Sequence, residues 1–243
     1  MQKHKVWDIP IRLCHWAIVL LIIFQYLSAE ILDDSILPNP IQWHFYAGYT
    51  ILGLVIFRIC WGLFGTYYAK FKNFIVGPKT TFNYLFQNSK NEGRTTTYLG
   101  HNPAGALSVI ALLSLIITQA ISGLFITDDI FHDGPYYGVL SDSMQDTMNF
   151  IHHNAFNVLL GFIAFHIAAI IFYKIVKKQS LTSAMITGYK KQADSTNSNF
   201  VNKNNNPSSF PWIGFILSLI ITGIILYVIL IALVPPPTDD YYY

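Results

Sequence analysis

Charge is scarce in this sequence: Asp, Glu, Lys and Arg make up 12% of its 243 residues, against 53% hydrophobic residues. Soluble globular domains run near about 25% charged, so a soluble domain is excluded, and the positive mean hydropathy points to a chain dissolved in lipid. The two-residue alternation of a closed barrel is also missing, which leaves helices as the spanning elements. The first apolar run follows Lys3, Lys5 and Arg12 but lacks a small-x-small cleavage site and contains a His-Trp pair. An uncleaved span is therefore expected there rather than a signal peptide. The net charge is only +2, and no nucleic-acid partner is expected.

Cysteine is equally sparse. Cys14 and Cys60 form no Cys-x-x-Cys and no Cys-x-x-Cys-His pattern, which disfavours a disulfide framework and a covalently attached haem. Both are read as small buried apolar residues. No convincing internal repeat is present.

Against these absences stand five stretches that meet the roughly 20-residue requirement of a bilayer-spanning helix, at about 12–31, 42–65, 104–127, 150–173 and 211–234. Lys3 and Lys5 precede the first. Lys70, Lys72, Lys79, Lys90 and Arg94 lie between the second and third, and Lys177, Lys178, Lys190, Lys191 and Lys203 follow the fourth. The connections 32–41 and 128–149 hold no Lys or Arg but carry Asp33, Asp34, Asp128, Asp129, Asp133, Asp142 and Asp146. By the positive-inside rule the N-terminus is cytoplasmic, and the acidic connections and the C-terminus face outward.

Four regions follow: a four-helix membrane unit over 4–191, a polar Asn/Ser-rich linker over 192–210, a fifth span at 211–234, and an acidic, tyrosine-rich outer tail at 235–243. Within the inner connection, Gly77 and Pro78 read as a turn. In GHNPAG (100–105), Asn102 reads as a helix cap and Pro103 as the first helical residue.

Histidines in membrane spans are costly unless satisfied, so each is a functional candidate. His152 and His166 are fourteen apart, about 40° from one another on a helix and about 21 Å apart along it; His153 lies about 140° from His166 and does not share the face. With span directions assigned, His44 meets His152 near the outer side and His15 meets His166 near the inner. A bare zinc or copper site calls for more than two ligands in one cluster, whereas two facing imidazoles suit a b-type haem, so two separated pairs suit two haems. Gly48 and Gly161 offer either close approach of a flat macrocycle or helix packing. Arg58, fourteen after His44, returns to the same face at the inner level, to pair with a propionate or raise the haem potential, or to snorkel to headgroups. His101 is expected to be solvent-exposed, with contact to a quinone or propionate as the alternative.

The strings VWDIPIRLCHW (6–16), WHFYAGYTILGLVIFRICWG (43–62) and HHNAFNVLLGFIAFH (152–166) resemble the prokaryotic cytochrome b561 and nickel-iron hydrogenase b-type cytochrome family. That family's pattern is an Arg-x-x-His-Trp-like start, a His-x-x-x-Gly second span with a later Arg, and two fourth-span histidines fourteen apart. The resemblance covers about 4–191 and implies His15, His44, His152 and His166 as axial ligands of two haems b. GHNPAG and MITGYKK are similar to segments of a subgroup that accompanies c-type cytochromes. Where relatives often have Glu after the first fourth-span histidine, this chain has His153, and span five lies outside the common unit.

The expected function is transmembrane electron transfer between the quinone pool and a redox partner, plausibly a c-type cytochrome drawn to the acidic outer loops. Alternatives are the membrane cytochrome subunit of a larger oxidoreductase such as a hydrogenase, a standalone quinol or superoxide oxidase, a histidine-based proton relay or transporter, and a haem-handling protein using loops such as that bearing His132.

Overall fold

The computed structural model describes residues 2–86, 98–128, 132–192 and 209–236. In chain order these form β1 (Gln2–Lys5), α1 (Ile9–Glu30), α2 (Pro40–Phe64), a short 3-10 turn (Phe71–Asn73), α3 (Pro78–Phe86), α4 (Pro103–Gly123), α5 (Asp142–Ile175), α6 (Leu181–Thr187), β2 (Tyr189–Gln192) and α7 (Trp212–Tyr227), which runs into a π-helical turn (Val228–Ala232). Five helices are long and apolar enough to cross a membrane: α1, α2, α4, α5 and α7 with its π turn. They coincide with the five apolar stretches of the sequence.

The differences from expectation are local. α5 starts at Asp142, well ahead of its apolar run, where the Asp142 carboxylate sits favourably against the positive end of the helix dipole. Pro78 opens a helix instead of ending a turn; with its own N–H absent, it fits the first helical position, and the Thr80 and Thr81 amides donate back to Gly77 O. Asn102 caps α4, its Oδ1 accepting from Gly105 N at 2.7 Å. The expected linker loses Gln192 to β2, and its residues 193–208 lie outside the described residues, as does the tail from 237.

The chain forms two compact units. One comprises Met1–Trp16, Arg58–Ser114 and Leu160–Ser218; the other comprises Ala17–Phe57, Leu115–Leu159 and Leu219–Tyr243.

The first unit is organised around Asp8. Its buried carboxylate caps α1 by accepting from Ile11 N at 2.8 Å, and takes further hydrogen bonds from Trp61 Nε1 at 2.9 Å and Thr66 Oγ1 at 2.6 Å. A cap of this kind contributes roughly 0.5–2 kcal/mol, and here it also fixes where α1 meets α2. The fully buried Trp61 ring stacks on Phe210 and meets Phe215 edge-on, which seats the start of α7.

α1 is also tied to α6. The last carbonyls of α6 have no helical partner: that of Ile186 accepts from Arg12 Nη2 and that of Met185 from Trp16 Nε1 at 3.4 Å. Gly188 then turns the chain with φ +86°, a left-handed conformation where a Cβ would stand 2.8 Å from Trp7 O. From there β2 pairs antiparallel with β1, His4 opposite Lys190 and Lys5 opposite Tyr189. The described residues are mostly helical, as expected, with this small sheet added, and MITGYKK is a helix stop followed by a strand.

In the second unit α7 lies against α2 where Gly53 leaves no side chain: a Cβ there would stand 2.9 Å from Leu226 Cδ1. The π turn leaves the Ile229 carbonyl available, and it accepts from the Tyr136 hydroxyl at 2.6 Å.

Candidate functional site

Each unit holds one of the two histidine pairs. In the second, His44 of α2 and His152 of α5 face each other with ring centroids 6.5 Å apart and planes at 69°. α1 and α4 support them in the same way. His44 Nδ1 lies 3.2 Å from Ser28 Oγ and 3.2 Å from Gln25 O; His152 Nδ1 lies 3.2 Å from Ser122 Oγ and 3.1 Å from Gln119 O. Both supports are Gln-x-x-Ser turns, QYLS at 25–28 and QAIS at 119–122. In each, the serine hydroxyl donates to a backbone carbonyl of its own helix, Gln25 O at 3.2 Å and Thr118 O at 2.8 Å.

At His152 these partners decide the tautomer. A carbonyl oxygen can only accept, so Nδ1 carries the hydrogen, the Ser122 oxygen, its own hydrogen already committed, accepts alongside, and Nε2 is left with its lone pair. At His44 the side-chain amide of Gln25, oriented to suit His44 O and Gly48 N, also faces Nδ1 at 3.0 Å, so binding a metal through Nε2 would give the Nδ1 hydrogen to the backbone Gln25 O and Ser28. A metal–imidazole bond is about 2.0–2.1 Å, and the ring centre is roughly 1.1 Å behind Nε2, so two imidazoles across one metal have centroids roughly 6.3 Å apart. The observed 6.5 Å fits an iron held between them.

Two glycines bear on this pair. A Cβ at Gly123 would come within 2.9 Å of His152 Cε1, so the imidazole needs that space. At Gly48 a Cβ would meet Gln25 Nε2 at 3.1 Å, which assigns that glycine to packing between α1 and α2. The adjacent His153 is exposed, as its angle on the helix requires.

In the first unit His15 of α1 and His166 of α5 are near enough that charge on one acts on the other. Their supports are thin. His15 Nδ1 is buried without a hydrogen-bond partner among the described residues, and His166 Nδ1 reaches only Ser108 Oγ at 3.5 Å. Gly161 faces open space, with no atom within 4 Å of the place a Cβ would take. Gly161 is five residues from His166, about 140° round the helix, so its open face is not the one that carries that imidazole.

The same unit also holds a buried cation. Arg58 of α2 is buried at 8% exposure, its guanidinium 4.9 Å from the Phe71 ring centre and Nη1 donating to Ala69 O at 3.4 Å. Its charge acts on Cys14, the neighbour of His15, and on His101. The buried Asp8 carboxylate also acts on it, and among the described residues the contacts of the guanidinium leave donors of the fork for a further carboxylate.

His101 departs from the expected solvent exposure. Its ring packs against Trp7 and Phe74, each at 4.6 Å between centroids, and its Nδ1 is buried without a partner among the described residues. Burial, with Arg58, Lys190 and His166 adding, pushes its pKa down to about 3, so it is neutral at physiological pH. Burial also lowers that of Lys190, whose Nζ donates to Tyr98 O at 2.6 Å.

Among the described residues no three or more His, Cys, Asp or Glu side chains converge on a point that could hold a bare metal ion. Cys14 and Cys60 are buried and not disulfide-bonded.

The model of the prokaryotic cytochrome b561 family matches residues 6–188. The chain belongs to that family. Among curated relatives, this cytochrome b561 member is 24% identical over 215 residues to a protein of Bradyrhizobium diazoefficiens, covering 78% of this chain and 86% of the relative. It is 25% identical over 210 residues to one of Azotobacter vinelandii (76% and 87%) and 24% identical over 221 residues to one of Rhodobacter capsulatus (76% and 80%). All three are named probable Ni/Fe-hydrogenase B-type cytochrome subunit. A b-type cytochrome family with five apolar helices means a multi-pass membrane electron carrier that binds haem b. The cytochrome b561 match stops at residue 188, short of α7.

Sequence reasoning missed Gln25, Ser28, Gln119, Ser122 and Gly123. A signal existed: Ser108 and Ser122 on α4 are fourteen apart, the same spacing as His166 and His152 on α5.

Proposed function

We propose that this chain is a di-haem membrane cytochrome b passing electrons between the quinone pool and an oxidoreductase partner. One haem is held by His44 and His152 and the other by His15 and His166, within a four-helix unit to which α7 is appended. The carrying observation is the 6.5 Å spacing of the His44 and His152 rings, both with Nδ1 occupied. When bound, haem b supplies a one-electron iron couple. The protein's work is to present Nε2 from four imidazoles, exclude water with apolar helix faces, and offer Arg58 to a carboxylate.

The partner reading shifts relative to the sequence expectation. The relatives are named as cytochrome subunits of hydrogenases, which favours the membrane cytochrome subunit of a larger oxidoreductase over a c-type cytochrome. The proposed orientation keeps the N-terminus cytoplasmic, in a bacterial inner membrane, from the lysine distribution.

Purified protein should show reducible b-type bands with two haems per chain. His152→Ala should remove one spectral component, whereas His153→Ala should leave both. A protein that takes up no haem, or that keeps both components in His152→Ala, overturns this reading.

A further inference from the structure

The two Gln-x-x-Ser turns do more than hold a tautomer. We propose that Ser28 and Ser122, with the Gln25 and Gln119 carbonyls, are positioning residues that lower the redox potential of the His44/His152 centre, making it the lower of the two. The inference rests on the haem-ligation reading above and goes beyond it by ordering the two centres.

The first argument is the match. Two different helices present the same i, i+3 construction to two different histidines, with all four acceptors between 3.1 and 3.2 Å from Nδ1. A packing accident would have little reason to reproduce both the residue pair and its distances.

The second argument is chemical. A hydrogen bond given by Nδ1–H leaves more electron density on Nε2, so the imidazole becomes a more basic ligand. A more basic ligand favours the oxidised iron, which is the more electron-poor state. Both ligands of this centre are doubly hydrogen-bonded, so both push the same way.

The other pair supplies the contrast. His15 Nδ1 has no partner among the described residues, and His166 has one hydroxyl at 3.5 Å. The buried Arg58 of the same unit acts on Cys14, the residue next to His15, and a cation held there favours the reduced iron. Weak supports and a positive neighbour therefore both raise the potential of the His15/His166 centre.

The test is an optical redox titration of the purified full-length protein, with the components assigned by His152→Ala and His15→Ala. The component lost in His152→Ala should be the lower-potential one. Ser28→Ala and Ser122→Ala should each shift that component upward while the other stays put and both haems are retained. Groups that hydrogen-bond a metal-ligating imidazole are typically worth about 10-fold or more in ligand binding. A tenfold change in the preference for oxidised over reduced iron corresponds to about 59 mV for one electron. Ser28→Thr and Ser122→Thr, which keep the hydroxyl, should restore the original value.

Should an alanine variant lose haem, Ser28→Cys and Ser122→Cys carry the same test, since a thiol is a weaker acceptor. Unchanged potentials with both haems retained overturn the inference, as does finding that His152→Ala removes the higher component. Absence of haem from the wild-type protein overturns the ligation reading instead, so the two failures are distinguishable.

Discussion

His44 and His152 each hold Nδ1 against a serine and a carbonyl, while among the described residues His15 and His166 share a single long contact to Ser108, with a buried arginine acting on Cys14 next to His15. The first arrangement is built from neutral dipoles at hydrogen-bond distance. Such contacts are directional, so they fix how a ring is turned as well as how strongly it binds. The second relies on charge, which acts over a longer range and leaves orientation to helix packing. One chain thus supports two similar-looking histidine pairs by two physical means, and the difference lies in residues that never touch a ligand.

The sharpest way to break the comparison is at Gly123, where a Cβ would crowd His152 Cε1 at 2.9 Å. Gly123→Val should displace the imidazole and lower haem occupancy of that centre about 10–100-fold, as expected for a lost ligand support. Haem content and the two-component spectrum check it, with the His15/His166 component unchanged.

Next in size is Arg58. Arg58→Gln removes the buried charge, so the His15/His166 component should fall in potential while the other holds within experimental error. If both fell equally, the charge would be serving the whole chain rather than one centre. The titration used for the serine variants reads this directly.

The smallest effect concerns His101. Its pKa is pushed down to about 3 by burial, with Arg58, Lys190 and His166 adding, against an unfolded value near about 6.5. Below about pH 6.5 the unfolded chain gains a proton that the folded one refuses, so stability declines as pH falls and continues to do so until about pH 3. Thermal unfolding in detergent across that range should show a shallower decline for His101→Phe than for the unaltered protein.

Much of this was legible in the sequence, for identifiable reasons. Helical geometry is periodic, so the fourteen-residue spacing of His152 and His166 gave their shared face and excluded His153. Asn102 and Pro103 announced the start of α4 through local chemistry alone. The clamps were harder to read, because Gln-x-x-Ser is an unremarkable string until helix packing brings it against an imidazole. His101 misled for the same reason: its burial depends on Trp7 and Phe74, which are distant in sequence. The strands Gln2–Lys5 and Tyr189–Gln192 carry no strand signature, since QKHK and YKKQ are polar and short. Their pairing is a tertiary event.

That pairing has a consequence for how the molecule is made. Residues 2–5 are made well before their partners at 189–192, which follow directly on the region matched to the family. At about 5–20 residues per second, the earliest-made strand waits roughly 10–40 s for its mate. During that interval the start of α1 lacks its clasp, and α6 is not yet there to receive Arg12 and Trp16. The approach to α1 is therefore finished late, only once α6 and β2 have been made.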